Sequence, residues 1–553
     1  MELYHRLKDK DERLFSYFTM EIGLKPEIKT YSGGLGVLAG DTVKSFADKS
    51  VPMVCVTLLN EDGYFKQVID DEGNQIEKED AWNKEEQLAK IDTQVEVKIE
   101  DRTIKVGAWE YQVKSKDGYI VPVYFLDTDI EGNSDYDRTL TKKLYGGDNY
   151  YRLCQEIVLG VGGVRFLKKR GYNNLLRYHM NEGHASFLTL ELLKELKDRD
   201  EVKKKCVFTT HTPVSAGHDK FPQNMVEIAL GDFVPDDMYQ DGTLSMTYLG
   251  FKLSNYVNGV AKKHQEVTHK MFPDFKVDYI TNGVHSKTWT CDHFKKLYDE
   301  KIPTWREDPF ALRYAIQLNS IDLWNAHINA KKDLINLIKD RQDLEFDEEV
   351  FTIGFARRAT SYKRMDLLFQ HIERLNKIAE KHGELQIIFS GKAHPRDIEG
   401  KNLIRKIINT KEKLNDKIKL VFLENYNMKL AKKLISGVDL WLNTPKKPLE
   451  ASGTSGMKAA LNGIPSLSVL DGWWIEGHME DFTGWSIGYD DEESENEKDA
   501  EDIYFKLEKL ILPKFYNNRD EYIEVMKKSI AFNASFFNTN RMVSQYILNA
   551  YLN

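Results

Sequence analysis

Beyond residue 350, short apolar runs alternate with stretches whose apolar residues recur every three or four positions. The runs at 350–355, 385–389, 418–423, 438–442 and 466–470 predict buried strands. Between them, residues 363–380, the stretch with the apolar pairs Leu403/Ile407 and Ile404/Ile408, and residues 429–434 predict helices. Regular β-α alternation implies a parallel, doubly wound sheet with right-handed crossovers. Such sheets bind ligands beyond the carboxyl ends of their strands, so the loops after Phe355, Phe389, Leu423 and Leu442 are expected to line a site.

The first half is less regular. Strands are predicted at 51–59, 120–126, 175–179, 206–210 and 277–280, and a helix at 185–197. The charged stretch 340–349 reads as a junction, dividing the chain into domains 1–343 and 344–553. Residues 519–552 read as helix, a candidate to cross back to the first domain, and the acidic run 490–502 as a solvated loop.

Composition narrows the class. With 553 residues, 41% hydrophobic and 30% charged, the chain reads as a soluble protein of two or more domains. A net charge of −9 argues against general nucleic-acid binding. No apolar run approaches a membrane span, and the opening MELYHRLKDKDERLF is too charged for a signal peptide. Cys55, Cys154, Cys206 and Cys291 are far apart and form no CxxC pair, so they read as reduced thiols of a cytoplasmic protein.

Candidate chemistry sits in six motifs. YSGGLGVLAGD (31–41) is a glycine turn entering a helix; it serves either an anion or the turn alone. GFARRATSYKR (354–364) sets Arg357, Arg358, Lys363 and Arg364 just after a core strand. Four cations there are costly unless an anion, most simply phosphate, answers them; the other reading is a solvated basic turn. NEGH and THTPVSAGH carry His179, Glu182, His184, His211 and His218. The spacing of His179 and His184 suits no helical metal pair and no HExxH is present, so no metal is expected. His211 follows a strand, and is either a sugar or acid–base contact or a satisfied structural histidine; TNGVH brings Asn282 to a similar position.

EASGTSGMKAALNG (450–463) predicts a tight turn at 453–456, a short helix at 457–462 and a capping glycine at Gly463. Lys458 then stands in the first helical turn, where a cation opposes the dipole. Nearby cations and that dipole favour a neutral amine able to take an aldehyde, while the turn takes a phosphate. Pyridoxal phosphate meets both demands; otherwise Lys458 extends to solvent.

In combination these blocks resemble the α-glucan (glycogen, starch, maltodextrin) phosphorylases, in a short form. EASGTSGMKAALNG is similar to that family's cofactor-lysine motif, and YSGGLGVLAGD, THTPVSAGH, TNGVHSKTW, ARRATSYKR and SGKAHP match further blocks in the same order. The resemblance implies an α/β chain of two Rossmann-like doubly wound domains facing a cleft, the GT-B glycosyltransferase architecture. Residues 1–343 would form the glucan and phosphate side, and 344–553 the pyridoxal-phosphate domain. It implies a hexosyltransferase that reversibly phosphorolyses terminal α-1,4-linked glucose to α-glucose 1-phosphate with retention. Lys458 would hold the cofactor as a Schiff base, with Thr454, Ser455 and Arg357 on its phosphate and Tyr426 and Trp289 beside it. Arg358, Lys363 and the Gly34 amide would bind substrate phosphate; His211, Asn282, Glu450, Ser452 and Gly453 would contact the glucosyl unit. The cofactor phosphate would act as a proton relay. Expected partners are an α-glucan or maltodextrin, inorganic phosphate, glucose 1-phosphate and a second subunit of a homodimer.

The chain departs from that pattern in places. Animal-type members read GTGNMK where this chain reads GTSGMK, and Arg357 stands where lysine is common. Lys446 and Lys447 precede the motif, either reaching the anion site or solvated; Trp473 and Trp474 follow it, either stacking on sugars or packing between domains. The matching core begins near residue 15, without the animal enzymes' regulatory arm, so activity without a nucleotide activator is expected. A nucleotide-sugar-dependent glucan synthase of the same fold and a non-catalytic glucan-binding relative are the alternative readings.

Overall fold

The computed structural model describes residues 12–214, 217–342, 344–488 and 493–553. The chain forms two compact units: Met1–Phe65, Glu79–Thr281 and Met542–Asn553 make the first, and Lys66–Lys78 with Asn282–Arg541 the second. The stretch 340–349 lies inside the second unit.

The second unit is built on six parallel strands. Their order is Ile418–Leu423, Leu385–Ser390, Phe351–Ala356, Leu440–Asn443, Ser466–Val469 and Gly484–Ile487. In chain order this is 3-2-1-4-5-6, the dinucleotide-fold arrangement, and its direction of growth reverses between Phe351–Ala356 and Leu440–Asn443. All six residues of Phe351–Ala356 and of Leu385–Ser390 are buried, as strands covered on both faces must be. The helix predicted at 363–380 is corrected: it runs Ile372–His382, after single 3-10 turns at Ser361–Lys363 and Leu367–Phe369. Arg364 breaks the early helix by adopting left-handed backbone, φ 44°.

A buried ion triad fixes this sheet to the long helix Ser320–Gln342. Asp439 receives His327 Nε2 at 2.7 Å, Lys331 Nζ at 2.7 Å and the Thr352 N–H at 2.6 Å. All three side chains are essentially solvent-free. Removing one partner of a buried pair strands the other charge, so Lys331→Met should cost about 3–5 kcal/mol, measured as a lower urea midpoint for the second unit.

The hairpin of Lys66–Ile69 and Gln75–Lys78 belongs to this unit although both its flanks belong to the other. Gln67 Nε2 donates to the Gly391 carbonyl at 2.8 Å, Gln75 Nε2 to the Ala393 carbonyl at 3.0 Å, and the Ala393 N–H to Gln75 Oε1 at 2.9 Å. The Ile69 N–H donates to Glu424 at 2.7 Å. The hairpin therefore braces the loops that follow Ser390 and Leu423.

The first unit has a nine-stranded sheet, ordered Asp278–Tyr279, Tyr256–Gly259, Cys206–Thr209, Arg177–Asn181, Phe15–Thr19, Met53–Leu58, Ile120–Asp127, Arg102–Lys114 and Ala89–Ile99. The last two are antiparallel additions to a parallel core. Alternate residues feed opposite faces. Val54, Val56 and Leu58 enter one apolar cluster, Met53 and Cys55 the other, with Tyr17 and Phe46. Tyr546 and Tyr551 complete the second cluster: Tyr551 stacks on Phe15 at 4.9 Å and its hydroxyl meets His179 Nδ1 at 2.8 Å.

The final stretch is not one helix. It runs Arg519–Lys528 and Ser529–Ala534, breaks, and resumes at Thr539–Tyr546. The acidic run is also corrected. Its first part, 490–492, lies outside the described residues, but Asn496–Lys506 is helix, and Asp499 and Asp502 are engaged inside the unit.

Candidate active site

The reversal point of the second unit carries the basic motif. Arg357 leaves the strand Phe351–Ala356 and donates through Nη1 to Asn443 Oδ1 at 3.2 Å on the neighbouring strand. Arg357 Nη2 and Lys363 Nζ both donate to Glu450 Oε2, the latter at 2.5 Å. Burial pushes the Glu450 carboxyl up, but Arg357 and Lys363 outweigh it and hold it at about 2. The SGKAHP segment lies alongside: the Arg357 N–H donates to the Ser390 carbonyl at 3.2 Å and the Ala359 N–H to that of Lys392 at 3.0 Å. A Cβ on Gly391 would lie 2.1 Å from the Arg357 carbonyl oxygen, so only glycine allows the approach.

The four cations are therefore not equivalent. An internal carboxylate answers Arg357 and Lys363. Arg364 turns inward, pairing with Asp499 at 2.7 Å and donating to the carbonyls of Thr444 and Pro445. It shapes the loop leading to Glu450 and is removed from the anion-binding candidates. Arg358 is exposed and has no hydrogen bond or ion pair among the described residues.

The lysine helix runs Thr454–Ala460, entered through Gly453 at φ 85°. It starts three residues earlier than the spacing predicts. Lys458 is thus in its second turn, where the dipole no longer supplies the expected pressure toward a neutral amine. Lys458 is buried, with Nζ 4.0 Å from the centre of the Trp289 ring. Asn462 ties these two segments together, its Nδ2 donating to the carbonyls of Trp289 and Lys458 and its Oδ1 accepting from the Cys291 N–H. Ser455 Oγ accepts from Trp441 Nε1 at 3.0 Å. Ser452 Oγ, Asn282 Oδ1 and Arg357 Nε are buried atoms without a partner among the described residues, which a bound ligand would satisfy. Tyr426 is half-buried on the loop after Ile418–Leu423. Lys446 is exposed, and its N–H donates to the Tyr362 carbonyl at 2.7 Å. Trp473 and Trp474 are buried at 2% and 1% exposure and pack within the second unit, which leaves neither ring face open to a sugar.

Sequence reasoning missed Asp471. Its carboxylate accepts the backbone N–H of Glu450 and of Gly472, both at 2.9 Å, and so holds the turn before the lysine helix. Burial first, and the Glu450 charge second, raise it to about 7. A carboxyl raised on folding stabilises the native state fully below its unfolded value. That contribution is lost as pH rises through about 4 to 7, at no more than about 1.4 kcal/mol per pH unit. Glu450, depressed, acts oppositely and below that window. Asp471→Asn should flatten the fall in melting temperature between pH 5 and 7, read by calorimetry.

The first unit has its own reversal point, between Phe15–Thr19 and Arg177–Asn181. The turn before the helix Gly34–Asp48 is already met by an internal anion: Glu21 accepts the N–H of Ser32 at 2.6 Å and of Gly33 at 3.3 Å, and the Tyr145 hydroxyl at 2.8 Å. Gly34 is exposed with open space around it. On the other side, His211 Nε2 donates to Asn181 Oδ1 at 2.6 Å, while Glu182 accepts the His211 N–H at 2.6 Å and the Thr212 hydroxyl at 3.0 Å. Burial lowers His211 to about 4, so its ring is neutral at pH 7. Nothing local in NEGH signals this role for Glu182, because its partners lie about thirty residues away.

Glu156, His184 and Asp219 bring one ligand atom each within 4.8 Å of the others. Arg152 already supplies the cation there, reaching Glu156 at 3.2 Å and Asp219 at 3.0 Å. Arg152 thus bridges Glu156 to Asp219.

Two doubly wound α/β units, each with polar and charged loops gathered at the reversal point of a parallel sheet, define a class of α/β protein whose ligand sites fall at the strand ends. Comparison narrows the class. The family described as carbohydrate phosphorylase matches residues 24–149 and 214–484. A maltodextrin phosphorylase of Thermococcus litoralis is 41% identical over 96% of this chain and 69% of its own length. A glycogen phosphorylase of Aquifex aeolicus is 37% identical over 99% and 87%, and one of Mycobacterium tuberculosis 33% over 97% and 70%. This chain belongs to the carbohydrate phosphorylase family.

Proposed function

We propose that the protein phosphorolyses terminal α-1,4-linked glucose of an α-glucan, reversibly and with retention, giving α-glucose 1-phosphate. The observation that carries this reading is the arrangement at the second unit's reversal point. Arg358, exposed and unpaired among the described residues, stands in the same loop as two cations held in place by Glu450. Arg358, with Lys363 and the Gly34 amide, binds substrate phosphate. Glu450 keeps Arg357 and Lys363 positioned in the free enzyme. An incoming substrate phosphate competes for Lys363, and the carboxylate becomes available to a sugar hydroxyl. Ser452, Gly453, Asn282 and His211 complete the glucosyl contacts. His211 is neutral at working pH with its Nε2–H committed to Asn181, which fits a sugar contact through its remaining groups rather than an acid.

The residues around Lys458 fit pyridoxal phosphate: a buried amine against the Trp289 face, the hydroxyls of Thr454 and Ser455 at a helix start, and an unfilled donor on Arg357. Lys458 would tether it; Thr454, Ser455 and Arg357 would hold its phosphate; Tyr426 and Trp289 would flank it. When bound, it supplies a second phosphate able to exchange a proton with the substrate phosphate. The cationic loop lowers the cost of bringing two such anions together. The first unit then serves the glucan and the second, which includes Trp289, the cofactor, in a cytoplasmic homodimer. The test is glucose 1-phosphate release from maltodextrin with and without inorganic phosphate. Release that ignores phosphate, or a requirement for a nucleotide sugar, overturns the reading.

A further inference from the structure

Trp473 joins three segments that carry the site. A Cβ on Gly456, two residues before Lys458, would lie 2.7 Å from the Trp473 ring, and one on Gly477 2.6 Å from it. The Trp473 N–H donates to the Ser452 carbonyl at 2.9 Å, fixing the turn that holds Ser452 and Gly453. The ring meets Phe537 edge-on at 4.8 Å. Phe537 in turn accepts the Val284 N–H at 3.1 Å, Thr539 donates to the Val284 carbonyl at 3.0 Å, and Arg541 Nη2 donates to the Asn282 carbonyl at 2.9 Å. Gly283 lies so close to the Asn538 backbone, 2.3 Å from a would-be Cβ, that this stitch tolerates no side chain.

We propose that Trp473 is a positioning residue for the lysine helix, its ring seated on Gly456 so that it sets the height of Lys458 above Trp289 and the spacing from the 450–453 turn. The pair explains a departure in the motif. Glycine at 456 is the space the indole occupies, so the two positions form one packing unit. The inference rests on the assignment of Lys458 to pyridoxal phosphate and deepens it.

A coupled set of variants tests it by equilibrium titration of apo-protein with pyridoxal phosphate. Gly456→Ala inserts a methyl against the ring, and Trp473→Ala removes the ring. Each should weaken cofactor binding by about tenfold or more, about 1.4 kcal/mol. The double variant should bind better than the two single losses added together predict, because the methyl no longer meets the ring. Trp473→Phe, a smaller ring, should retain most binding and partly relieve Gly456→Ala; it serves if the alanine variants do not fold. A purely structural tryptophan predicts losses that add, without recovery in the double variant, and that result overturns the proposal. If the parent protein binds no pyridoxal phosphate, the functional reading falls instead. The same cycle is then read in hydrogen exchange of amides 454–460, where additive loss of protection again overturns the packing unit.

Discussion

Lys458→Ala is expected to yield a folded, colourless protein with phosphorolysis below detection. The native lysine is buried, its ammonium 4.0 Å from the Trp289 ring centre. Truncation removes a cation–π contact worth about 1–2 kcal/mol, too little to unfold either unit. Asn462 still links the Trp289 and Lys458 backbones, so the helix keeps its place. What disappears is the tether. The parent should release about one pyridoxal phosphate per chain on denaturation and the variant none, as read by absorbance. A colourless Lys458→Ala protein with full activity would remove the cofactor from the reading altogether.

Arg358→Ala and Arg357→Ala should fail in different ways. Arg358 has no partner among the described residues, so its loss should leave melting temperature and cofactor content unchanged. Removing one charged donor from a desolvated anion costs about 2–4 kcal/mol in transition-state stabilisation, roughly 30- to 1,000-fold in rate. The loss should fall on phosphate use in phosphorolysis and on glucose 1-phosphate use in synthesis. Arg358→Lys should recover only part, since lysine lacks the bidentate fork. Arg357 differs because it shares Glu450 with Lys363 and bonds Asn443. Arg357→Ala should lower both cofactor retention and stability. If Arg358→Ala empties the cofactor site while Arg357→Ala spares it, the two assignments are reversed.

Legibility in the sequence tracked where each element's partners lie. Most strands of the second unit are buried along their length and read as short, largely apolar runs, so five are legible to within two residues of their ends. Ala89–Ile99, with exposed residues at every second position, and Tyr256–Gly259, only four residues long, carry no comparable apolar run. Phe15–Thr19 was hidden behind a highly charged lead-in. In the site, the basic loop was evident because its cations are consecutive. Their carboxylates were not, because Glu450 lies 93 residues from Arg357 and no local pattern encodes that pairing. Glu21, Glu182 and Asp471 share this character, each accepting backbone N–H groups from a distant loop. The acidic run misled for the same reason, since Asp499 finds Arg364 only once the chain has folded.

The interleaved division of the chain has a consequence for biosynthesis. Residues Met542–Asn553 close the apolar face over Phe15, Tyr17 and His179, yet follow the whole of Asn282–Arg541 in order of translation. At about 5–20 residues per second the nascent first unit waits about 10–50 s with that face open. The hairpin Lys66–Lys78 waits in the other direction, made long before the Gly391, Ala393 and Glu424 groups it will bind. Neither unit can finish independently on the ribosome, so chaperone capture should concentrate on ribosome-bound chains shorter than about 540 residues.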